Sequence, residues 1–329
     1  MKASAQENLD HGYPNQLGSE GFCRRRFLTA GGGAVLFAAV LGGARKAGAQ
    51  ERVMDTPDWR TLKPGEHDSD LYTGSVGYED DTALTWWDGR NVAGVTIGLI
   101  QFRANLPMMP GNMGNATTFD FPMLYREMDA DNRYDIMADQ PTESFTAASV
   151  EAAKWLELQG VRAIMGNCGF FGTYQKAIQS QIRTPFFSSS LMQLPMIVQS
   201  MPGDKKVGVI TANGPVLKRC TAIENCGLSP QDKNDRILIE GCESGKAFKD
   251  VMELTGKLNP KGLEKEIVAA VRRVMKKDPD IGAILLECTE LSPHAVAVQE
   301  AVRLPVWDYT TLTNWIHSGA ARQPFKGLM

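Results

Sequence analysis

Between Val95 and His317, short apolar runs alternate with stretches whose apolar residues recur at helical spacing. Val95 to Ile100 is a β-rich run. Thr142 to Leu158 places Ala148, Ala152, Trp155 and Leu156 on one helical face, with Thr142 as N-cap and Gly160 as stop. A strand over Arg162 to Met165 follows, then a helix over Thr173 to Ile182, a strand over Pro185 to Phe187 and a mostly helical stretch from Leu191 to Met201, Pro195 notwithstanding. The alternation then repeats. Lys206 to Thr211 is a strand and Pro215 to Glu224 a helix that starts at proline and ends before Gly227. Arg236 to Glu240 is a strand, followed by helices over 246–256 and 262–277 and a strand over Ile281 to Leu286. A helix over His294 to Val302, a strand over Pro305 to Trp307 and a helix over Thr311 to His317 complete the pattern. Strands that alternate with helices pair in parallel through crossovers, so the class is α/β, and ligands of such sheets bind at the carboxyl ends of the strands.

Two of those strand ends carry a cysteine. VRAIMGNC and IGAILLEC share an apolar start, Ala-Ile at one offset and cysteine at the eighth position, so that Cys168 and Cys288 lie 120 residues apart in matching register. A packed thiol would sit inside the apolar run, because free cysteine behaves as a small hydrophobe. A thiol just past the run is presented. The repetition predicts two pseudo-symmetric lobes, each a mostly parallel sheet flanked by helices, with the site in the cleft between them. The expected division is lobe 1 over 93–204 plus 303–329 and lobe 2 over 205–302.

Two facing thiols suit proton transfer. A thiolate at a helix N-terminus is stabilised by backbone amides and the helix dipole, which is expected to bring its pKa toward neutrality. One thiolate can then take a proton from one face of a carbon while the opposite thiol returns one to the other face. A disulfide between the same residues is the competing use.

These segments resemble the aspartate/glutamate racemase superfamily, in the branch near hydantoin racemases, over most of the chain from Val95 to His317. The likeness is carried by the loop Pro110 to Asn115 with Thr118-Phe119-Asp120, and by Asn167-Cys168-Gly169-Phe170. It extends to Pro185 to Leu191, Gly208 to Asn213 and Glu287-Cys288-Thr289. It implies two α/β lobes and a racemase or epimerase that inverts a carbon alpha to a carboxylate or amide without metal or other cofactor. Cys168 and Cys288 would be the bases. Asn115 and Thr118 would bind a substrate carboxylate, helped by backbone amides at Gly169 and Thr289 and the Thr289 hydroxyl. Ser189, Ser190, Thr211 and Asn213, at further strand ends, would hold the rest of the substrate. Amino-acid racemases of this group usually show Cys-Asn-Thr at the first site, where this chain has Asn167 before the cysteine and Gly169-Phe170 after it. At the second, Glu290 stands where a histidine often follows Cys-Thr. Asn167 and Phe170 are therefore where substrate identity is sought, and Phe170 and Phe171 suit a bulkier or less polar ligand. His294 reads as a surface or capping histidine. A decarboxylase or cis-trans isomerase on the same scaffold is an alternative, as is an exported small-carboxylate binding protein.

The N-terminal residues add a destination. Arg24-Arg25-Arg26-Phe27-Leu28 fits the twin-arginine export pattern, a charge-free stretch runs from Phe27 to Ala44, and Ala47-Gly48-Ala49 is a small-x-small site. Residues 1–49 are thus expected to be removed by the export machinery, which would leave a periplasmic or secreted protein with no stable membrane association. Residues 50–92 read as an extension. Removing the six basic and three acidic residues of the signal leaves 29 basic and 35 acidic side chains, a net of −6. No basic patch points to nucleic acid. Association with further copies of the chain is compatible with this reading. Cys220, Cys226 and Cys242 match no zinc spacing. A Cys220–Cys226 disulfide is left open, and Cys242 reads as buried filler. Gly241 to Ala247 has only three residues between its glycines and no Ser or Thr after Lys246, so it is no phosphate loop. The methionines between Leu106 and Met113 read as lid or packing.

Overall fold

The computed structural model describes residues 92–103, 106–128 and 135–323. The export signal and all but the last residue of the 50–92 extension lie outside them. The elements are β1 Ile97–Gln101, β2 Met123–Glu127, α1 Glu143–Leu158, β3 Ala163–Gly166, α2 Gln175–Gln179, β4 Phe186–Phe187 and α3 Leu194–Ser200. They continue with β5 Lys206–Thr211, α4 Gly214–Arg219, α5 Ala222–Asn225, α6 Pro230–Arg236, β6 Ile237–Gly241, α7 Lys246–Met252 and α8 Pro260–Lys277. The chain ends with β7 Ile281–Leu286, α9 Ala295–Val302, β8 Val306–Trp307 and α10 Tyr309–Ala320.

The strands form two four-stranded sheets, β2-β1-β3-β4 and β6-β5-β7-β8, and every pairing is parallel. The order is the same in both, so the two-lobe α/β fold expected from the resemblance is present. β3 and β7, the strands that deliver the cysteines, hold equivalent positions beside β1 and β5. The chain leaves the second sheet only after Trp307, because β8 pairs with β7. From there α10 covers the first sheet, where Tyr309, Leu312 and Ile316 pack with Ile97, Leu99, Ala163 and Met165.

The local reasons are those of the sequence. Thr142 caps α1, its hydroxyl accepting from Phe145 N. Asp308 starts α10 with a reciprocal capping box to Thr311, two residues ahead of the predicted start. The helix expected over Pro215 to Glu224 is broken in two, because Cys220 is extended and the Thr221 amide donates to Asp139 O (3.2 Å) instead of continuing the ladder. The helix expected from Thr173 is preceded by a 3-10 turn over Gly169–Tyr174.

The lobes are joined by buried hydrogen bonds. Ser190 Oγ donates to Leu286 O (2.9 Å) and lies 3.2 Å from Glu287 O. Among the described residues no helix is long and apolar enough to cross a membrane, and no group of three or more His, Cys, Asp or Glu side chains is arranged to hold a metal ion.

Candidate active site

Each cysteine follows its strand by two residues and opens the same turn. Phe171 N donates to Cys168 O and Leu291 N to Cys288 O, both at 3.0 Å. The preceding residues match as well. Asn167 N donates to Ile100 O (3.2 Å) and Glu287 N to Ile210 O (2.8 Å). Their side chains accept from equivalent amides, Phe102 N to Asn167 Oδ1 and Ala212 N to Glu287 Oε2, each 3.3 Å.

Both thiols line one cavity of about 590 Å³, open mouth included. The first lobe contributes Phe102, Leu106, Ile136, Met137, Asn167, Cys168 and Phe170. The second contributes Ala212, Val251, Met252, Leu254, Cys288 and Glu290. The walls are thus mainly aliphatic, aromatic and thioether, and Glu290 is their one charged side chain among the described residues. Its Oε2 accepts from Cys288 Sγ (3.3 Å) and from Thr289 Oγ1 (2.7 Å). Leu254, in the left-handed region at φ 53°, is among the second-lobe residues that line the cavity.

The thiols are not acidified. Burial pushes Cys168 well above its ordinary range, the nearby Glu287 and Glu290 push it further, and the Phe170 amide offsets only part of this. Cys288 is raised in the same way by burial and then by Glu290, against the Glu290 amide. The amides expected to stabilise a thiolate are present, but desolvation of the charged form outweighs them. The surroundings therefore favour the thiol form of both cysteines, which corrects the expected shift toward neutrality.

The remaining predicted residues divide by position. Asn167 and Phe170 reach the cavity, whereas Phe171 packs in the core against Phe145. Thr289 is bonded to Glu290 beside it. Gly169 is buried behind Cys168, and Thr211 Oγ1 donates to Glu287 Oε2 at 2.8 Å. The others are engaged in the framework and do not line the cavity. Asn115 Nδ2 donates to Met108 O and Thr118 Oγ1 to Asn112 O, which folds their own loop. Ser189 caps the 3-10 turn at Ser190, Ser190 joins the lobes, and Asn213 caps α4. His294 is buried, not on the surface, and its Nδ1 lies 3.9 Å from Glu264. Cys220, Cys226 and Cys242 are buried free thiols, so no Cys220–Cys226 disulfide forms.

Glu287 was absent from the predicted site. It is fully buried, and burial pushes its carboxyl up to about 7, an effect that bonds from Thr211 and Ala212 only partly offset. An acid at the end of the all-apolar run IGAILL was the available signal.

No family model matches the chain. Among curated proteins it is similar to dimethylsulfoniopropionate lyase 3 of Emiliania huxleyi strain CCMP1516, with 32% identity over 239 residues, 71% of this chain and 62% of the relative. Dimethylsulfoniopropionate lyase 7 of the same strain is 31% identical over 225 residues, 67% of this chain and 65% of the relative. The chain thus spans somewhat less than two thirds of these relatives' length. Among solved structures it is similar to glutamate racemase RacE1 from Bacillus anthracis, at 13% identity, 70% of this chain, 85% of the other and a TM-score of 0.46. Arylmalonate decarboxylase gives 16% identity, 70% and 94% coverage and the same TM-score.

Proposed function

We propose that this protein is a lyase that eliminates a neutral thioether from a small sulfonio-carboxylate, with dimethylsulfoniopropionate as the substrate to test first. The observation that carries the reading is the character of the cavity. Two thiols and one carboxylate are set in walls of phenylalanine, methionine and leucine, and such walls suit a methylated cation. The likeness to lyases named for this substrate supports it.

The chemistry follows from the resting state. A bound sulfonium adds a positive charge close to Glu290 and the thiols, which offsets the penalty that keeps them protonated. Cys288 is the thiol hydrogen-bonded to a carboxylate, so it is assigned as the base, with Glu290 taking its proton. The thiolate removes the proton alpha to the substrate carboxylate, the freed electron pair forms the Cα=Cβ bond, and the Cβ–S bond breaks. Dimethyl sulfide leaves with the bonding pair as a neutral molecule, and acrylate remains. Cys168, still a thiol, donates to the charge developing on the carboxylate, beside the turn amides at Gly169 and Thr289. Cys288 keeps the substrate's proton as a thiol, and Glu290 releases to solvent the proton it had taken, which restores the resting state.

Racemisation shares the first step, and the matching thiols on opposite lobes favour it as the second reading. Incubation of the protein with dimethylsulfoniopropionate, and separately with amino acids and hydantoins, in deuterated water separates the two. Elimination gives dimethyl sulfide and acrylate in equal amounts. Racemisation gives deuterium at an inverted α-carbon and no volatile product.

A further inference from the structure

Glu287 does a job for which its counterpart needs no charge. In the first lobe the residue after the strand is Asn167, whose Oδ1 accepts from Phe102 N and completes the strand end. In the second lobe Glu287 Oε2 accepts from Ala212 N in the equivalent place, and also from Thr211 Oγ1. The longer side chain leaves Oε1 without a hydrogen-bond partner in a fully buried position. That oxygen lies across the lobe boundary against Gly169. A side chain at position 169 would land inside the Glu287 carboxyl group, and its Cβ would be 2.5 Å from Glu287 Cγ. Gly169 has an ordinary negative φ, so it is glycine for space.

We propose that Glu287 is a positioning residue of the site: seated on Gly169 from the opposite lobe, it fixes the turn that presents Cys168 and sets a titratable negative charge directly behind that thiol. The assignment of Cys168 as the proton-bearing partner rests on the proposed elimination, but the seating and the charge do not. A carboxylate behind Cys168 favours the thiol, and an uncharged group there favours it less. The ionisable groups in electrostatic contact with Glu287 are Glu290, Cys168, Cys288 and Tyr309, with Cys220 and Cys226 further into the core. None of these is a cation, so among the described residues the charge of Glu287 is felt by the thiols without a local counter-charge.

The test is Glu287→Gln, which keeps the shape and the accepting oxygen, together with Glu287→Asn, which copies the first lobe. Alkylation of Cys168 by iodoacetamide, followed by peptide mass spectrometry across pH 6 to 10, reads the thiol without any substrate. The expected result is a midpoint at lower pH in Glu287→Gln than in the parent protein, and faster labelling at pH 8. Glu287→Asn is expected to behave likewise, provided that its circular dichroism matches the parent. If dimethyl sulfide release is present, the alkaline limb of its kcat/KM profile moves to lower pH in the same variants. An unchanged or raised labelling midpoint in a folded Glu287→Gln overturns the proposal. A lowered midpoint in a protein that releases no dimethyl sulfide would leave Glu287 as assigned and refute the lyase reading instead.

Discussion

The two lobes end their central strands with the same backbone geometry and with different side chains around the thiols. β3 gives way to Asn167 and then Cys168, β7 to Glu287 and then Cys288, with the same turn after each thiol. Backbone geometry is therefore satisfied in both, and the asymmetry is one of charge. Behind Cys168 lies the carboxyl of Glu287, and beside Cys288 lies that of Glu290. A symmetric pair of thiols can only exchange roles. A pair with carboxylates in different positions can divide the work, which is how one site obtains both an acid and a base from the same residue type.

The largest test of that division is removal of the thiols. Cys288→Ala is expected to lower the elimination rate by about 10²- to 10⁴-fold, the usual contribution of a positioned general base. Cys168→Ala should cost less, in steady-state assays of dimethyl sulfide release. Equal losses would mean that the thiols are interchangeable.

Next in size is the stability carried by Glu287. Its carboxyl titrates at about 7 in the folded protein against an ordinary 4.5, so the native state binds the proton more tightly than the unfolded chain. The contribution is complete below the ordinary carboxylate range and is lost as pH rises toward 7. Urea unfolding at pH 5, 6 and 7 should show a decline of a few kcal/mol over that window, and Glu287→Gln should flatten it. Asn167→Asp, the converse change in the other lobe, should introduce a new pH dependence there.

Gly169→Ala drives a methyl group into the Glu287 carboxyl and is expected to cost about 1–3 kcal/mol, read as a lowered Tm. Thr289→Ala, at the matching position, loses one hydrogen bond and should cost about 1 kcal/mol. The smallest effect is that of Ser190→Ala, which removes the bond to Leu286 O between lobes and should cost about 1 kcal/mol or less in the same thermal scan.

The repeat was legible because both cysteine strands are buried apolar runs, and β5 and β7 begin and end where the pattern puts them. β2 was not, because Met-Leu-Tyr-Arg-Glu is a half-buried edge strand with no alternation to read. α6 has no buried residue at all, so it carries no periodicity. Of the positions singled out at the strand ends, the two thiols, Asn167 and Phe170 line the cavity. Serines 189 and 190 instead cap a turn and join the lobes, uses of a strand-end hydroxyl that local sequence does not distinguish from substrate binding. The thiol shift was misread because amide contacts show in local sequence, whereas burial and a carboxylate from the other lobe arise only on folding.

The reaction proposed for the cavity between the thiols is removal of an α-proton and expulsion of a thioether. Headspace gas chromatography of purified protein with dimethylsulfoniopropionate, beside folded Cys288→Ala, tests it directly. Dimethyl sulfide is expected at a rate above the uncatalysed background and in step with acrylate, and about 10²- to 10⁴-fold slower in the variant. No release above background from the folded protein, or release that persists unchanged in Cys288→Ala, would contradict it.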